Sequence, residues 1–260
     1  MGWEFLWIFA IIALVLSAVG FYKFVSVAGI GVALAIMSIA GVFSAGVEHY
    51  ILFALLVVYG VRLSGFLLIR ELKNISFKKT DVFKDTLNKS EEKKMPVFVK
   101  ATIWIVVSAL YVAQTSPVFF RMYNGGESSA LVWVGIVISV LAIAIEWIAD
   151  QQKSAQKAKN PNKVATEGLY KIVRCPNYFG EILFWTGLFV SSLDTLCGVG
   201  QWITAIIAYI AIVYIMFNGA QRLEKGQMDR YGDDAEYNEY VNKTPIIIPL
   251  LPIYHLNKKK

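Results

Sequence analysis

The sequence predicts an all-α polytopic membrane protein, seven transmembrane helices in one bundle, and three observations carry that expectation. Of 260 residues 57% are hydrophobic and only 17% are charged, with a mean hydropathy of +0.54, outside the range of soluble globular chains. Apolar runs long enough to cross roughly 30 Å of hydrocarbon recur along the chain. The basic residues gather almost entirely between alternate runs.

The runs follow one another with little between them. Trp3–Gly20 comes first; it lacks a basic leading segment and a small-residue cleavage site, so it is expected to be retained and not removed as a signal peptide. Val25–Phe43 follows a short turn that holds Lys23, and Tyr50–Ile69 is the third run. Glu71–Met95 then mixes five acids with seven lysines and reads either as an amphipathic cap along the surface or as a solvated tether. Val97–Phe119, Leu131–Ile148, Tyr178–Leu196 and Trp202–Phe217 complete the set. From Gly219 the tail is amphipathic, clusters Tyr231, Tyr237 and Tyr240, and ends in an apolar, Pro-bounded segment that reads as a lid over a cytoplasmic mouth. No internal repeat, low-complexity stretch or Pro/Gly-rich boundary divides the chain, so a single membrane domain, residues 1–260, is expected.

Topology follows from charge. Of the 25 basic residues, nine lie between Arg70 and Lys100, six between Lys153 and Arg174, seven beyond Phe217, and one is Lys23. With seven spans these regions share one side, and the opposite loops hold only Arg121. Because short cytoplasmic loops are rich in Lys and Arg, the N-terminus is expected outside and the C-terminus in the cytoplasm. The net charge of +6 is then a topology and anionic-lipid signal, since no nucleic-acid motif accompanies it. Cys175 and Cys197 fall at opposite ends of the sixth run, too far apart for a disulfide. His49 and His255 are too few and too distant for a metal site, so no metal is expected.

Four constellations bear chemistry. Glu146 and Asp150, at i and i+4 in IEWIADQQK, project from one helical face; they are either hydrated acids at a helix end or acceptors for a ligand's hydroxyls and amides, balanced by Lys153 and Lys157. The loop KAKNPNKVATEGLYKIVR strings together Lys157, Lys159, Lys163, Lys171 and Arg174, suiting a polyphosphate or a lipid headgroup, and equally explained by topology. Its continuation, GLYKIVRCPNYFGEILFWTG, carries Arg174, Asn177, Tyr178 and Glu181 into the sixth run, either as a ligand site or as a plain helix start with Asn177 capping. Arg62 lies inside the third run, with Tyr59 one turn before it and Phe66 one turn after. A central arginine is costly enough to require an acid or an anionic ligand, and Glu48 or Glu181 is the structural alternative. Tyr59 beside it is placed to donate a hydrogen bond or a proton to a substrate carbonyl. Arg62, Glu48 and Phe66 are the candidates for substrate contact.

The segments VYGVRLSGFLLIR, EWIADQQK and GLYKIVRCPNYFGEILFWTG, with a tail closing in EYVNKTPIIIPLLP, make the chain similar to the steroid 5-alpha-reductase superfamily, in its compact bacterial branch. The match covers most of the chain from Glu146 onward, the third run more thinly and the first two hardly. The resemblance implies a seven-helix bundle that holds NADPH in a cavity open to the cytoplasm and reduces the C=C of an enone-type lipid or steroid entering from the bilayer. It assigns Glu146, Asp150, Lys157, Lys163, Arg174, Asn177 and Tyr178 to the cofactor, with Glu181 and Trp185 holding or bracing the nicotinamide end. Arg222, Glu224 and Lys225 fall where the family's tail meets the cofactor, and Tyr59 is the group that polarises the substrate carbonyl. Residues 1–130 are then the substrate-side helices and residues 131–260 the cofactor-binding half. A bacterial inner membrane is the expected location, or the endoplasmic reticulum in a eukaryote.

Two departures stand out. Arg174-Cys175-Pro176 replaces the Arg-His-Pro triplet common among relatives, and the adjacent Gln-Glu pair of steroid-acting members has no counterpart, Glu48-His49 being the nearest. The alternative class is an S-adenosylmethionine-dependent membrane methyltransferase of the isoprenylcysteine carboxyl or phospholipid type, which shares the Arg-x-Pro-x-Tyr core; Arg222-Leu223-Glu224 leans toward it, and Glu181 with the Glu146/Asp150 pair leans away. A third possibility is a lipid-binding scaffold without a cofactor.

Overall fold

Each of the seven apolar runs forms an α-helix in the computed structural model, which describes residues 3–18, 24–78 and 96–257. In chain order the helices are α1 (Trp3–Ser17), α2 (Val25–Ile39), α3 (Val47–Lys78), α4 (Val97–Tyr123), α5 (Ala130–Lys159), α6 (Pro176–Val190) and α7 (Gly198–Tyr231), followed by a polar α8 (Ala235–Lys243). A short 3-10 turn at Gly168–Lys171 interrupts the loop between α5 and α6, and the described residues contain no strand. Four helices, α3, α4, α5 and α7, are long and apolar enough to cross a membrane. The other three, α1, α2 and α6, have 15 residues each, about 22 Å at 1.5 Å per residue, which is less than a full hydrocarbon core. The segment expected as a surface cap or tether, Glu71–Met95, continues α3 as far as Lys78 and from residue 79 lies outside the described residues.

The ends of the helices have local causes. Gly41 adopts φ +71 just past α2, and its N–H bonds Ser38 O at 3.0 Å while Val42 N bonds Met37 O at 2.9 Å, a left-handed stop that only glycine takes without strain. The sixth helix stops at Val190, short of the expected Leu196. There Ser191 and Ser192 turn their hydroxyls back onto Leu188 O at 2.7 and 3.3 Å, competing with continuation of the helix. Conversely, α7 outlasts its apolar run, which ends at Phe217, and its remaining turns carry the charged sequence of the tail.

The chain forms two compact units. The first comprises residues 1–128 and 194–204; in it α1 packs on α2 and α4, and α2 on α3. Backbone-close contact of α2 and α3 depends on Gly60, where an added Cβ would lie 2.7 Å from Ala28 N and 2.8 Å from Phe24 O. Phe5, Phe9, Phe43 and Phe119 meet edge-on or tilted at 5.3–6.5 Å, the geometry that aromatic quadrupoles favour. Arg121, expected in an exposed loop, is fully buried in the last turn of α4. It bonds Asp194 Oδ1 at 2.7 Å and the Glu127 carbonyl, which is how a cation becomes tolerable there.

The second unit comprises residues 129–193 and 205–260. Its α5 and α6 touch through a stripe of small residues, as apolar helices do when dispersion must replace the hydrophobic effect. An added Cβ at Gly187 would meet Ser139 Oγ at 2.2 Å and Gly135 O at 2.6 Å, and one at Gly180 would meet Glu146 Cγ at 2.5 Å. Beside them, Phe189 stacks on Tyr209 of α7 with ring centroids 5.3 Å apart.

Candidate functional site

The start of α6 is the organising point of the second unit. Cys175 is the residue before the helix, and its side chain caps nothing; Pro176 occupies the first turn, where its missing N–H costs nothing. Asn177 is therefore not the cap that the plain helix-start reading gave it. The tail supplies the partners instead: Arg174 N and Cys175 N donate to Pro245 O and Ile246 O at 2.8 and 2.9 Å. Ile246 and Ile247 then bury against Cys175, Ile182 and Ala220, with Tyr178 packed on the same cluster.

Glu224, near the charged end of α7, holds the tail. Its carboxylate accepts from Arg174 Nη2 at 2.9 Å, from the N–H groups of Leu256 and Asn257 at 2.9 Å each, and from Asn257 Nδ2 at 2.8 Å. Burial pushes the carboxyl up, but the bonds from Arg174 and the tail amides outweigh it and hold the group below the ordinary glutamate range. Arg174 Nη2 also donates to the Tyr254 carbonyl. Both charges are almost wholly buried, so this ion pair fixes geometry more than it adds stability.

Against this scaffold lies a cavity of about 110 Å³. Four cations line it, Lys153, Lys157, Arg174 and Arg230, together with Asn177, Gln227 and the phenols of Tyr170, Tyr231 and Tyr240. Tyr170 and Tyr240 titrate well above the usual phenol range, chiefly because they are buried. Their hydroxyls therefore stay protonated at neutral pH; Tyr240 donates to Tyr170 O at 2.7 Å. Lys157 Nζ donates to Tyr231 Oη at 2.9 Å and to the carbonyls of Pro161 and Lys163 at 3.1 and 2.5 Å. Lys153 makes no hydrogen bond or ion pair among the described residues. The phenols of Tyr170 and Tyr240 donate to backbone carbonyls, so the cavity's attraction for an anion is its cationic lining and its place beside the N-terminus of a 15-residue helix.

The basic loop is held to α5 by two glutamines. Gln156 Oε1 accepts from Thr166 N and Glu167 N at 2.9 and 3.0 Å, and Gln152 Oε1 accepts from Leu169 N at 2.8 Å. Gly168, at φ +68, turns so tightly there that an added Cβ would sit 2.4 Å from Gln152 Oε1.

Of the residues expected at a cofactor, Lys157, Arg174 and Asn177 line the cavity. Lys163 lies next to it, in a smaller cleft, with its ammonium 2.5 Å from Glu236; that bond raises its pKa. Glu146 is buried against α6 at Gly180, Asp150 is half-buried and acts electrostatically on Tyr170, and Glu181 accepts from Trp185 Nε1 at 3.0 Å. Tyr178 packs in the apolar cluster, Arg222 is exposed, and Glu224 belongs to the tail latch. In the first unit Tyr59 is fully buried on α3, Arg62 is half-buried, and Phe66 is 37% exposed. Glu48 is buried beside His49 Nδ1 at 3.7 Å. That nitrogen accepts from Gly46 N at 3.0 Å, so it carries no proton and the two do not form an ion pair. Lys153, Gln227 and Arg230 were not singled out for the cavity from sequence; Lys153 is one turn before Lys157, a spacing that puts both on one face.

The described residues define an all-α protein of membrane type, with four helices long and apolar enough to span and a cationic, tyrosine-walled cavity at the head of α6. A family model described as "Protein of unknown function (DUF1295)" matches residues 8–244, and the chain belongs to that family. No curated protein and no solved structure matches it.

Proposed function

We propose that the protein is a membrane-embedded NADPH-dependent reductase acting on the C=C bond of an enone-type lipid or steroid. The observation that carries this reading is the cavity: four cations, three phenols and the start of α6 meet at one anion-sized space. The family's association with steroid 5-alpha-reductase-like membrane proteins points the same way, as does the resemblance of the PNYFGE and EWIADQQK segments. A space of about 110 Å³ suits a phosphate group and is smaller than pockets that enclose whole ligands, so the rest of a dinucleotide would extend beyond it.

In this reading Lys153 and Arg230 bind phosphate oxygens as charged donors, and Asn177 adds an amide donor. Lys157, whose three N–H groups are engaged by Tyr231, Pro161 and Lys163, contributes its charge and exchanges one of those bonds for a phosphate oxygen. Arg174 faces the same space but is chiefly tied to Glu224 and Tyr254. When bound, NADPH supplies hydride to an electron-poor carbon. Tyr59 holds the substrate's carbonyl oxygen by a hydrogen bond, which strengthens as negative charge develops there and gains from a water-free surrounding. All seven apolar helices cross or enter the bilayer, with the N-terminus outside and the basic loops in the cytoplasm, where the cofactor is found. Glu224 of Arg222-Leu223-Glu224, a cofactor contact in this reading and a feature leaning toward the methyltransferase alternative, is tied into the tail latch and serves neither as a free carboxylate.

The test is a thermal-shift titration of detergent-purified protein with NADPH, NADH and S-adenosylmethionine, since a ligand of the folded state alone raises its stability. Stabilisation by NADPH is expected; stabilisation by S-adenosylmethionine alone overturns the reading. Lys153→Ala or Lys157→Ala should weaken NADPH binding about 10-fold or more, the worth of one charged hydrogen bond. Tyr59→Phe should spare binding and cut turnover on the order of 100-fold, and unchanged turnover would remove Tyr59 from the chemistry.

A further inference from the structure

Gln114 of α4 is 4% exposed, and among the described residues neither its Oε1 nor its Nε2 has a hydrogen-bond partner. A primary amide with both edges unmet inside an apolar helix bundle is an expensive arrangement and calls for a partner from outside the chain. The hydroxyls beside it are spent. Thr115 Oγ1 donates to Tyr111 O and Val112 O at 2.9 and 3.1 Å, and Ser108 Oγ donates to Trp104 O at 2.9 Å. Ser116 Oγ donates to Ala113 O at 2.7 Å, the carbonyl that Pro117 leaves without its helical N–H.

The depth of Gln114 follows from its neighbours by two routes. Tyr111, one turn before it, meets Phe24 with ring centroids 5.4 Å apart, and the Phe24 carbonyl lies against Gly60 of α3. Arg121, two turns after it on the same face, lies within electrostatic reach of His49. The contacts Ala28 with Gly60 and Gly31 with Leu56 make α3 antiparallel to α2, while Phe24 with Tyr111 and Ser38 with Met122 make α4 parallel to it. Counting down α4 from Arg121 and up α3 from His49 therefore brings Gln114 level with Leu56, one turn from Tyr59. Leu56 and Tyr59 are both fully buried.

We infer that Gln114 anchors the polar end of an otherwise apolar ligand within the first unit. Because both edges of the amide are unmet, the best-fitting head group carries an acceptor and a donor side by side, as a carboxamide, a protonated carboxylic acid or a hydroxy-ketone does. A simple ketone meets only the Nε2 donor. The inference rests on the proposed function for the role of Tyr59 alone and is independent of any cofactor.

The experiment uses the full chain in lipid nanodiscs and three probes of equal length: dodecanamide, tridecan-2-one and tridecane. At about 100 times its Kd, dodecanamide should raise the Tm of the wild type by roughly 5–10 °C, tridecan-2-one by less and tridecane not at all. Gln114→Met keeps the side-chain length and an apolar fill, so it should fold, melt at or above the ligand-free wild type, and respond to all three probes alike. Equal responses of the wild type to dodecanamide and tridecane overturn the inference, as does a Gln114→Met protein that still distinguishes them. A wild type insensitive to every probe means that the amide holds a water molecule only, which also overturns it. NADPH affinity measured on the same samples should be unchanged by Gln114→Met; failure of this site with cofactor binding intact is thereby separated from failure of the reductase reading.

Discussion

Glu224→Ala removes the acceptor shared by Arg174 Nη2, two tail N–H groups and the Asn257 side chain. It leaves Arg174, 5% exposed, with only the Tyr254 carbonyl as a named partner. Breaking one side of a buried ion pair costs about 3–5 kcal/mol. The loss is bounded because the tail can swing away and let water reach the freed groups, at the expense of the cluster built on Ile246 and Ile247. For a chain of this size about 3–5 kcal/mol corresponds to a Tm drop of roughly 6–20 °C. The assay is thermal unfolding of the purified protein followed by tryptophan fluorescence, paired with brief trypsin treatment, in which release of the tail should speed cleavage after Lys243, exposed already but held at the end of α8. The double variant Arg174→Leu with Glu224→Leu should recover most of the loss, since it leaves no uncompensated ion. A single variant whose Tm stays within about 2 °C of wild type, or a double variant as unstable as the single, refutes the latch.

Three further expectations follow from the same features. The folded-state pKa of Glu224 is depressed, so its stabilisation is complete above the unfolded value of about 4.3 and is lost as pH falls through the lower folded value; Tm should drop below about pH 4.3 more steeply in wild type than in Glu224→Gln, and parallel curves would contradict this. Cys175 is buried, with its thiol pushed up to about 12 by that burial, whereas Cys197 is exposed; mass spectrometry should find one fast maleimide adduct per native chain, and an impermeant reagent should reach it in intact cells if residues 194–201 face outward. Gly187→Leu should cost about 1–3 kcal/mol or more by forcing α5 and α6 apart, while Gly65→Ala, with nothing within 4 Å of the new Cβ, should melt at or slightly above the wild type.

Hydropathy alone made all seven helices legible, because a run of apolar residues bounded by charge has one compatible fold in lipid. Their ends were less legible: α6 stops early because Ser191 and Ser192 bond their own turn, an effect that a hydropathy window averages away. In the site, Lys157, Arg174 and Asn177 were visible as a charged or amide residue at a helix boundary, and all three line the cavity. Arg230 was not, because in sequence it is one cation among several on the tail, and only the return of α7 and α8 brings it to the cavity. Glu224 was read through the resemblance as a cofactor contact and not as a latch, since its partners lie 32 to 50 residues away in the chain. Gln114 gave no signal at all, because an amide in an apolar run becomes informative only once its neighbours' bonds are known.

The latch also orders events during synthesis. Arg174 emerges with the start of α6, but the Tyr254 carbonyl that it requires is made 80 residues later, after the whole of α7 has followed. Glu224 on α7 is made 50 residues after Arg174 and is its first buried partner; the second, in the tail, follows only with Tyr254, so the entrance to α6 closes last. The contacts that residues 245–257 make with Arg174, Cys175 and Glu224 therefore form only after α5, α6 and α7 have been made and the chain has run past α8. Fusions or cuts that disturb that segment should leave the helices formed and the cavity beside Arg174 open.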